Sequence, residues 1–332
     1  MFIGKALILA GTTLLALALS GSAGFAAATV DSADCALFGK VDVGGRLETA
    51  TWTSSVGGVN QSGNPAAGAF GDLAVGESCG MFNFQVDSAL KYMTQSGMYT
   101  ASAPNYFRTE GRTIGHVGGA AFIRDINNGA VGLSGSYIIT ATSDTYSTPP
   151  NASGSEGMFR VGSFAESYLG DSVTIGASAH YFNGKYSTAC CSPNYIYNQG
   201  GEFGVSAKFY PNDNFSLGIR ADGLLSNQIY FDGGSSIATN GLALTGRAEY
   251  KLSDSNLSMF IDGTWATRTA YFTGGENNVS GVVGSVGLAY YFGGSSGSSL
   301  KALDRSGTYD NASMFNEKLT DFINDRLSTY YH

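Results

Sequence analysis

VVGSVGLAYYF, Val282–Phe292, is the stretch whose reading decides the fold. Val282, Gly284, Val286, Leu288, Tyr290 and Phe292 form one face, apolar and ending in two aromatics. Val283, Ser285, Gly287, Ala289 and Tyr291 form the other, built mostly of small residues. The run is about the 9–11 residues that a tilted strand needs to cross a bilayer.

Working outward, similar strands recur in pairs. Short turn clusters begin at 76 (GESCG), 124 (RDINNG), 169 (LGDS), 211 (PNDN) and 252 (LSDSN), spaced 41–48 residues apart. Longer segments rich in Gly, Ser, Asn and Tyr lie between them. A short turn, two strands and a long loop, repeated, make an up-and-down antiparallel meander. Alternation places strands at Gly39–Trp52, Ala67–Val75, Phe82–Tyr92, His116–Arg124, Ala130–Ile139, Phe159–Tyr168, Val173–Phe182, Phe203–Tyr210, Phe215–Leu224, Leu242–Tyr250, Leu257–Arg268 and Val282–Phe292. Barrel strands of this kind start and finish on the periplasmic side, so their number is even. The expectation is an all-β, transmembrane, up-and-down antiparallel barrel of 12 strands; dropping the two weakest segments leaves 10. Outward aromatics gather near both strand ends (Phe82, Phe209, Tyr250 and Tyr290; Tyr92, Tyr137, Tyr181 and Trp265), as two membrane interfaces favour.

Composition agrees. Charged residues are 13% of the chain, against about 25–35% for a soluble surface. Gly is abundant, 47 of 332, and aromatics reach 12%, which excludes a disordered chain. Residues 1–28 read as a secretory signal peptide: Lys5, the apolar run Ile8–Leu19, then small residues Ala26–Ala28. Without it, 17 basic and 26 acidic residues leave 17 − 26 = −9, with no basic cluster to suggest nucleic acid. The predicted division is a signal peptide at 1–28, a barrel at 29–292 and a periplasmic linker and helix at 293–332. In the last part, Phe315, Leu319, Phe322, Ile323 and Leu327 recur at helical spacing within Ala312–Leu327. That amphipathic helix is the candidate surface for a periplasmic partner or a second copy.

Several stretches resemble the porin-like outer-membrane β-barrel proteins of alphaproteobacteria: GKVDVGG at 39–45, FNFQVDSAL at 82–90, FIRDINNGAVGLSGSY at 122–137, KFYPNDNFSLGIRAD at 208–222 and YYFGGSSGSSLKALDR at 290–305. The resemblance implies a bacterial outer-membrane location, with no catalytic residues and no cofactor. The expected surroundings of such a barrel are outer-membrane lipid, lipopolysaccharide and the barrel-assembly machinery.

Charge segregates to one strand face. The candidate lumen lining is Lys40, Asp42, Arg46, Glu48, Asp87, Lys91, Arg160, Glu166, Lys208, Arg220, Asp222, Arg247, Glu249 and Asp262. A charge on the lipid face costs roughly 2–4 kcal/mol at mid-bilayer, so segregation is what a lumen requires. Two functions follow: a narrow pore for passive diffusion of small hydrophilic solutes, or a non-conducting structural or surface-interaction barrel. GESCG at 76–80 and GGSSG at 293–297 match GxSxG by letter, but the first lies in a strand-to-strand turn and the second in a Gly/Ser linker, so neither has the strand–turn–helix setting of a nucleophile elbow; no HExxH occurs, and the chain reads as no enzyme. Ser178 and His180, two apart on one strand face, do not make a nucleophile–base pair by spacing. No metal-ligand spacing appears. Cys35 and Cys79 fall on the same side of the barrel and are a candidate disulfide; adjacent Cys190 and Cys191 are a candidate vicinal one.

Overall fold

The computed structural model describes residues 35–55, 59–62, 65–96, 108–146, 153–188, 195–230, 236–253, 255–272, 275–293 and 298–309. The signal sequence, Cys190 and Cys191, and the helix expected over Ala312–Leu327 lie outside them.

The strands are β1 (Ala36–Ser54), β2 (Val59–Ser62), β3 (Ala66–Cys79), β4 (Phe82–Ser96), β5 (Arg108–Asp125), β6 (Gly129–Tyr146), β7 (Ser153–Leu169), β8 (Val173–Thr188), β9 (Tyr195–Asn212), β10 (Phe215–Tyr230), β11 (Ser236–Lys251), β12 (Leu257–Phe272) and β13 (Gly275–Phe292). Each pairs with its sequence neighbour, and β13 pairs with β1 from Gly39↔Phe292 to Ser54↔Asn277, which closes the sheet. The four-residue β2 extends the outer end of β1 as a hairpin. The barrel proper therefore has twelve antiparallel strands, and the ten-strand count is excluded.

The polarity is inside out. Leu47, Phe84, Val86, Leu90, Leu133, Ile219, Ile261 and Val286 are each at least 60% exposed, while Lys40, Asp42, Arg46, Arg160 and Asp222 are 5% or less. Only lipid makes that arrangement favourable, since apolar outward faces need hydrocarbon and closure leaves no unpaired edge. The protein is a bacterial outer-membrane β-barrel.

Each predicted strand lies within an observed one, and the short-turn ends agree closely. The outer ends differ. On the outer side, residues left between the predicted strands contribute several residues to the neighbouring strands, so the barrel strands run 14–19 residues. Above the membrane the outward face meets water instead of lipid and need not be apolar. Alternation then disappears from the sequence while the backbone ladder continues.

The short turns are set by local chemistry. Gly80 and Gly170 take φ of 64° and 57°, where a side chain is disfavoured. Asp125 closes its own turn, accepting from Asn127 N at 2.9 Å and Asn128 Nδ2 at 2.6 Å. A disulfide joins Cys35 to Cys79, 44 residues apart, tying the periplasmic ends of β1 and β3. It consumes both sulfur atoms of the Cys35, Glu77, Cys79 group, so that group offers no thiolate to a metal. Cys35→Ser is expected to lower stability by about 2–4 kcal/mol, read as a shifted urea midpoint that reductant reproduces in the parent protein.

The stretch after β13 differs from the linker reading. Gly293, at φ 86°, turns the chain where a Cβ would collide with the Leu37 carbonyl. Residues 298–309 then pack back into the periplasmic end of the barrel. Ser299 accepts from Ala302 N at 3.1 Å and starts the helix α1, Leu300–Ser306. The signal was present as Leu300 and Leu303, one helical face in an otherwise polar stretch.

Candidate functional site: the barrel interior

The interior is layered. Towards the outer half, Ile114, Ile138, Met158, Phe182, Leu224 and Val283 belong to one apolar cluster. Phe182 and Val283 are 1% and 0% exposed, so this band is dry. Nearer the periplasm come the charges, then aromatics and the returning C-terminal segment.

The fourteen predicted residues all have buried or half-buried side chains, and the structure draws many of them into two groups. The first straddles the closing seam. Arg247 on β11 donates to Glu249 two residues on (3.0 Å) and to Asp42 on β1 (3.2 Å). Its guanidinium lies 3.9 Å from the ring centre of Phe260 on β12. Gly287 on β13 leaves the room, because a Cβ there would strike the Phe260 ring. Lys40 sits 3.3 Å from Asp42 and 3.9 Å from Glu249. Ser258 Oγ and Tyr291 Oη lie 2.5 and 2.7 Å from Glu249 Oε1. Arg247 thus pairs with Glu249 on its own strand and with Asp42 across two intervening ones.

The second group lies across β6 to β10. Arg160 Nε donates to Glu202 at 2.8 Å, and its NH2 reaches His180 Nδ1 at 2.8 Å. His180 Nε2 is 2.8 Å from Ser134 Oγ. Arg220 Nε forks onto both Asp222 oxygens (2.7 and 2.9 Å) and its NH2 reaches Ser178 Oγ at 3.4 Å. Gly204 on β9 is needed here, because a Cβ would overlap both Asp222 and Arg220. The Ser134–His180 contact has serine-hydrolase spacing but the wrong protonation. An arginine only donates, so His180 Nδ1 accepts and the proton sits on Nε2, pointing at Ser134. In that tautomer the ring is no base towards Ser134.

The remaining predicted residues stand apart from these groups. Asp87 is 3.3 Å from His116, Lys91 lies over Phe70, and Arg46 pairs with Glu48 at 3.3 Å. Tyr168 donates to Glu166 at 3.3 Å. Sequence reading missed Glu202, because the predicted strand began at Phe203, 203 − 195 = 8 residues after β9 does. It continues the inward parity of Gly204, Ser206 and Lys208, and that parity was the available signal.

The returning segment crosses the mouth from wall to wall. Leu300 and Leu303 pack on Phe260, Ala289 and Tyr291. Arg305 donates to the carbonyls of Gly170 (3.0 Å) and Val173 (2.9 Å) over the Tyr168 ring. Arg124 holds the Gly307 carbonyl at 2.6 Å. Tyr309 stacks on Phe164 and exchanges two backbone hydrogen bonds with the Gln85 amide. Asp304 accepts from Lys208 and from Tyr210 (3.2 Å), and Tyr291 Oη lies 3.2 Å from its other oxygen. Beside Asp304 is a cavity of about 160 Å³, walled by Lys208, Arg220, Arg247, Thr245 and Arg305.

No family model and no curated protein matches the chain. Among solved structures, the translocator domain of the autotransporter NalP from Neisseria meningitidis is similar at 14% identity and TM-score 0.48, covering 85% of this chain and 94% of that one. The Pseudomonas putida toluene transporter TodX follows at 8% and 0.44, covering 76% and 89%. A Pseudomonas aeruginosa FadL homologue aligns at 12% and 0.42, covering 77% and 90%. At these TM-scores the likenesses carry no weight for activity.

Proposed function

We propose that this barrel is a narrow conduit for passive diffusion of small hydrophilic solutes. The observation that supports it is the wall itself. Buried carboxylates and guanidinium groups of both signs line the interior and adjoin a cavity at the level of Lys208, Arg220 and Arg247. Removing that many charges from water is costly, and an apolar filling would hold a purely structural barrel together more cheaply. A polar wall is what selects hydrophilic solutes.

Planar-bilayer recording tests the reading. Folded protein, with its C-terminal segment intact or loosened by Asp304→Asn, is expected to give discrete current steps. No current from either sinks the conduit. Arg220→Ala and Arg247→Ala are expected to enlarge or reshape the conductance, since both side chains reach into the cavity; unchanged conductance in both removes them from the filter.

A second reading, a non-conducting barrel, is favoured by two observations. The band around Phe182 and Val283 is dry, and residues 298–309 cross the mouth. A dry apolar band also gates channels by dewetting, which is how the conduit reading accommodates it.

A further inference from the structure

We infer that Lys208 and Tyr210 form a carboxylate-binding site on the barrel wall, held at rest by the chain's own Asp304, so that a small carboxylate solute in the adjoining cavity competes with Asp304 and releases the C-terminal plug. This rests on the conduit reading for the solute's access, and on the geometry alone for the site.

Two donors of β9, Lys208 and Tyr210, converge on one oxygen of the Asp304 carboxylate; the Tyr291 hydroxyl, 3.2 Å from the other oxygen, gives its proton to Glu249 at 2.7 Å. Both donors belong to the wall, and only the acceptor belongs to the plug. A free carboxylate satisfies the same two donors, so exchange leaves neither of them without a partner. The site is also reachable. The side chains of Lys208 and Asp304 keep 23% and 15% of their exposure, unlike the sealed charges higher in the barrel, and both line the cavity. The cavity wall adds Arg220, Arg247 and Arg305 against Asp222 and Glu166, so an entering anion meets a basic surround.

The plug is suited to such competition. Ordering residues 298–309 opposes their seating, so few contacts decide the balance. Besides Asp304, its polar anchors include Leu300 N on the Asp213 carbonyl, Arg305 on the Gly170 and Val173 carbonyls, Arg124 on the Gly307 carbonyl, Gln85 on Tyr309, and the Lys301–Asp171 pair. At Asp304 the wall supplies a cation and the plug an anion beside an open space.

The experiment uses the full chain in lipid vesicles, carrying Leu303→Cys with Cys190→Ser and Cys191→Ser, and acetate as the probe. Leu303 is 3% exposed when the plug is seated, so reaction with a bulky maleimide reports release. Replacing chloride by acetate at constant pH and ionic strength is expected to speed labelling about tenfold, the scale of one charge-assisted hydrogen bond. Asp304→Asn is expected to label at the acetate rate in chloride and to ignore acetate. Equal rates in both salts, or a full acetate response in Asp304→Asn, overturns the proposal. The acetate dependence of channel opening in the parent chain is the second readout and needs no cysteine. Acetate-stimulated labelling without current in any variant supports the site and sinks the conduit; current indifferent to acetate does the reverse.

Discussion

Replacing Glu249 by Ala is expected to destabilise the barrel by about 3–5 kcal/mol, the cost of stranding buried partners of a removed charge. Glu249 is 1% exposed and is the common acceptor for Arg247, Lys40, Ser258 and Tyr291. Its loss leaves two cations competing for Asp42, next to the seam where β13 closes on β1. Urea unfolding of vesicle-inserted protein, followed by loss of the compact gel band, measures the effect. Glu249→Gln separates charge from hydrogen bonding: it keeps an acceptor for Ser258 and Tyr291 and is expected to recover a minor part. A midpoint within the error of the parent would show that Asp42 alone neutralises the seam.

Glu202→Ala is expected to cost a similar amount, about 3–5 kcal/mol, for the same reason. Arg160 is 2% exposed, and it also donates to the neutral His180 at Nδ1. The informative variant is the double one. Arg160→Met with Glu202→Leu removes both charges and fills the space, and it is expected to be nearly as stable as the parent. A double variant as unstable as Glu202→Ala alone would place the cost in packing or in the freed Ser134–His180 pair. A double-mutant cycle on the same unfolding assay resolves the coupling.

Much of the fold was legible because the bilayer imposes a simple rule. A side chain facing hydrocarbon must be apolar and its neighbour facing inward need not be, so Val282–Phe292 announces its two faces without reference to any partner. Parity followed from the turns, and the aromatic ends marked the interfaces. Strand length was not legible, since Tyr195–Gly201 and Ser236–Asn240 pair beyond the hydrocarbon, where the outward face need not be apolar. The inward set was legible as a set: Arg160, Asp222 and Glu249 share a parity with their strands. Their pairing was not. Arg247 reaches Asp42 over Phe260 and past Gly287, and only the curvature of the closed sheet brings those positions within 3.2 Å.

By itself the sequence determined the up-and-down meander, the facing of side chains along its predicted strands and the short turns, because these depend on neighbours one to four residues away. The tertiary structure decided what fills the barrel. Leu300, Asp304, Arg305 and Tyr309 read as a polar tail after Phe292. They become a plug because closure places Tyr291, Lys208, Gly170 and Gln85 around one mouth. Contacts between residues 13 to 224 positions apart leave no periodic trace along the chain, and only the closed ring of strands brings them together.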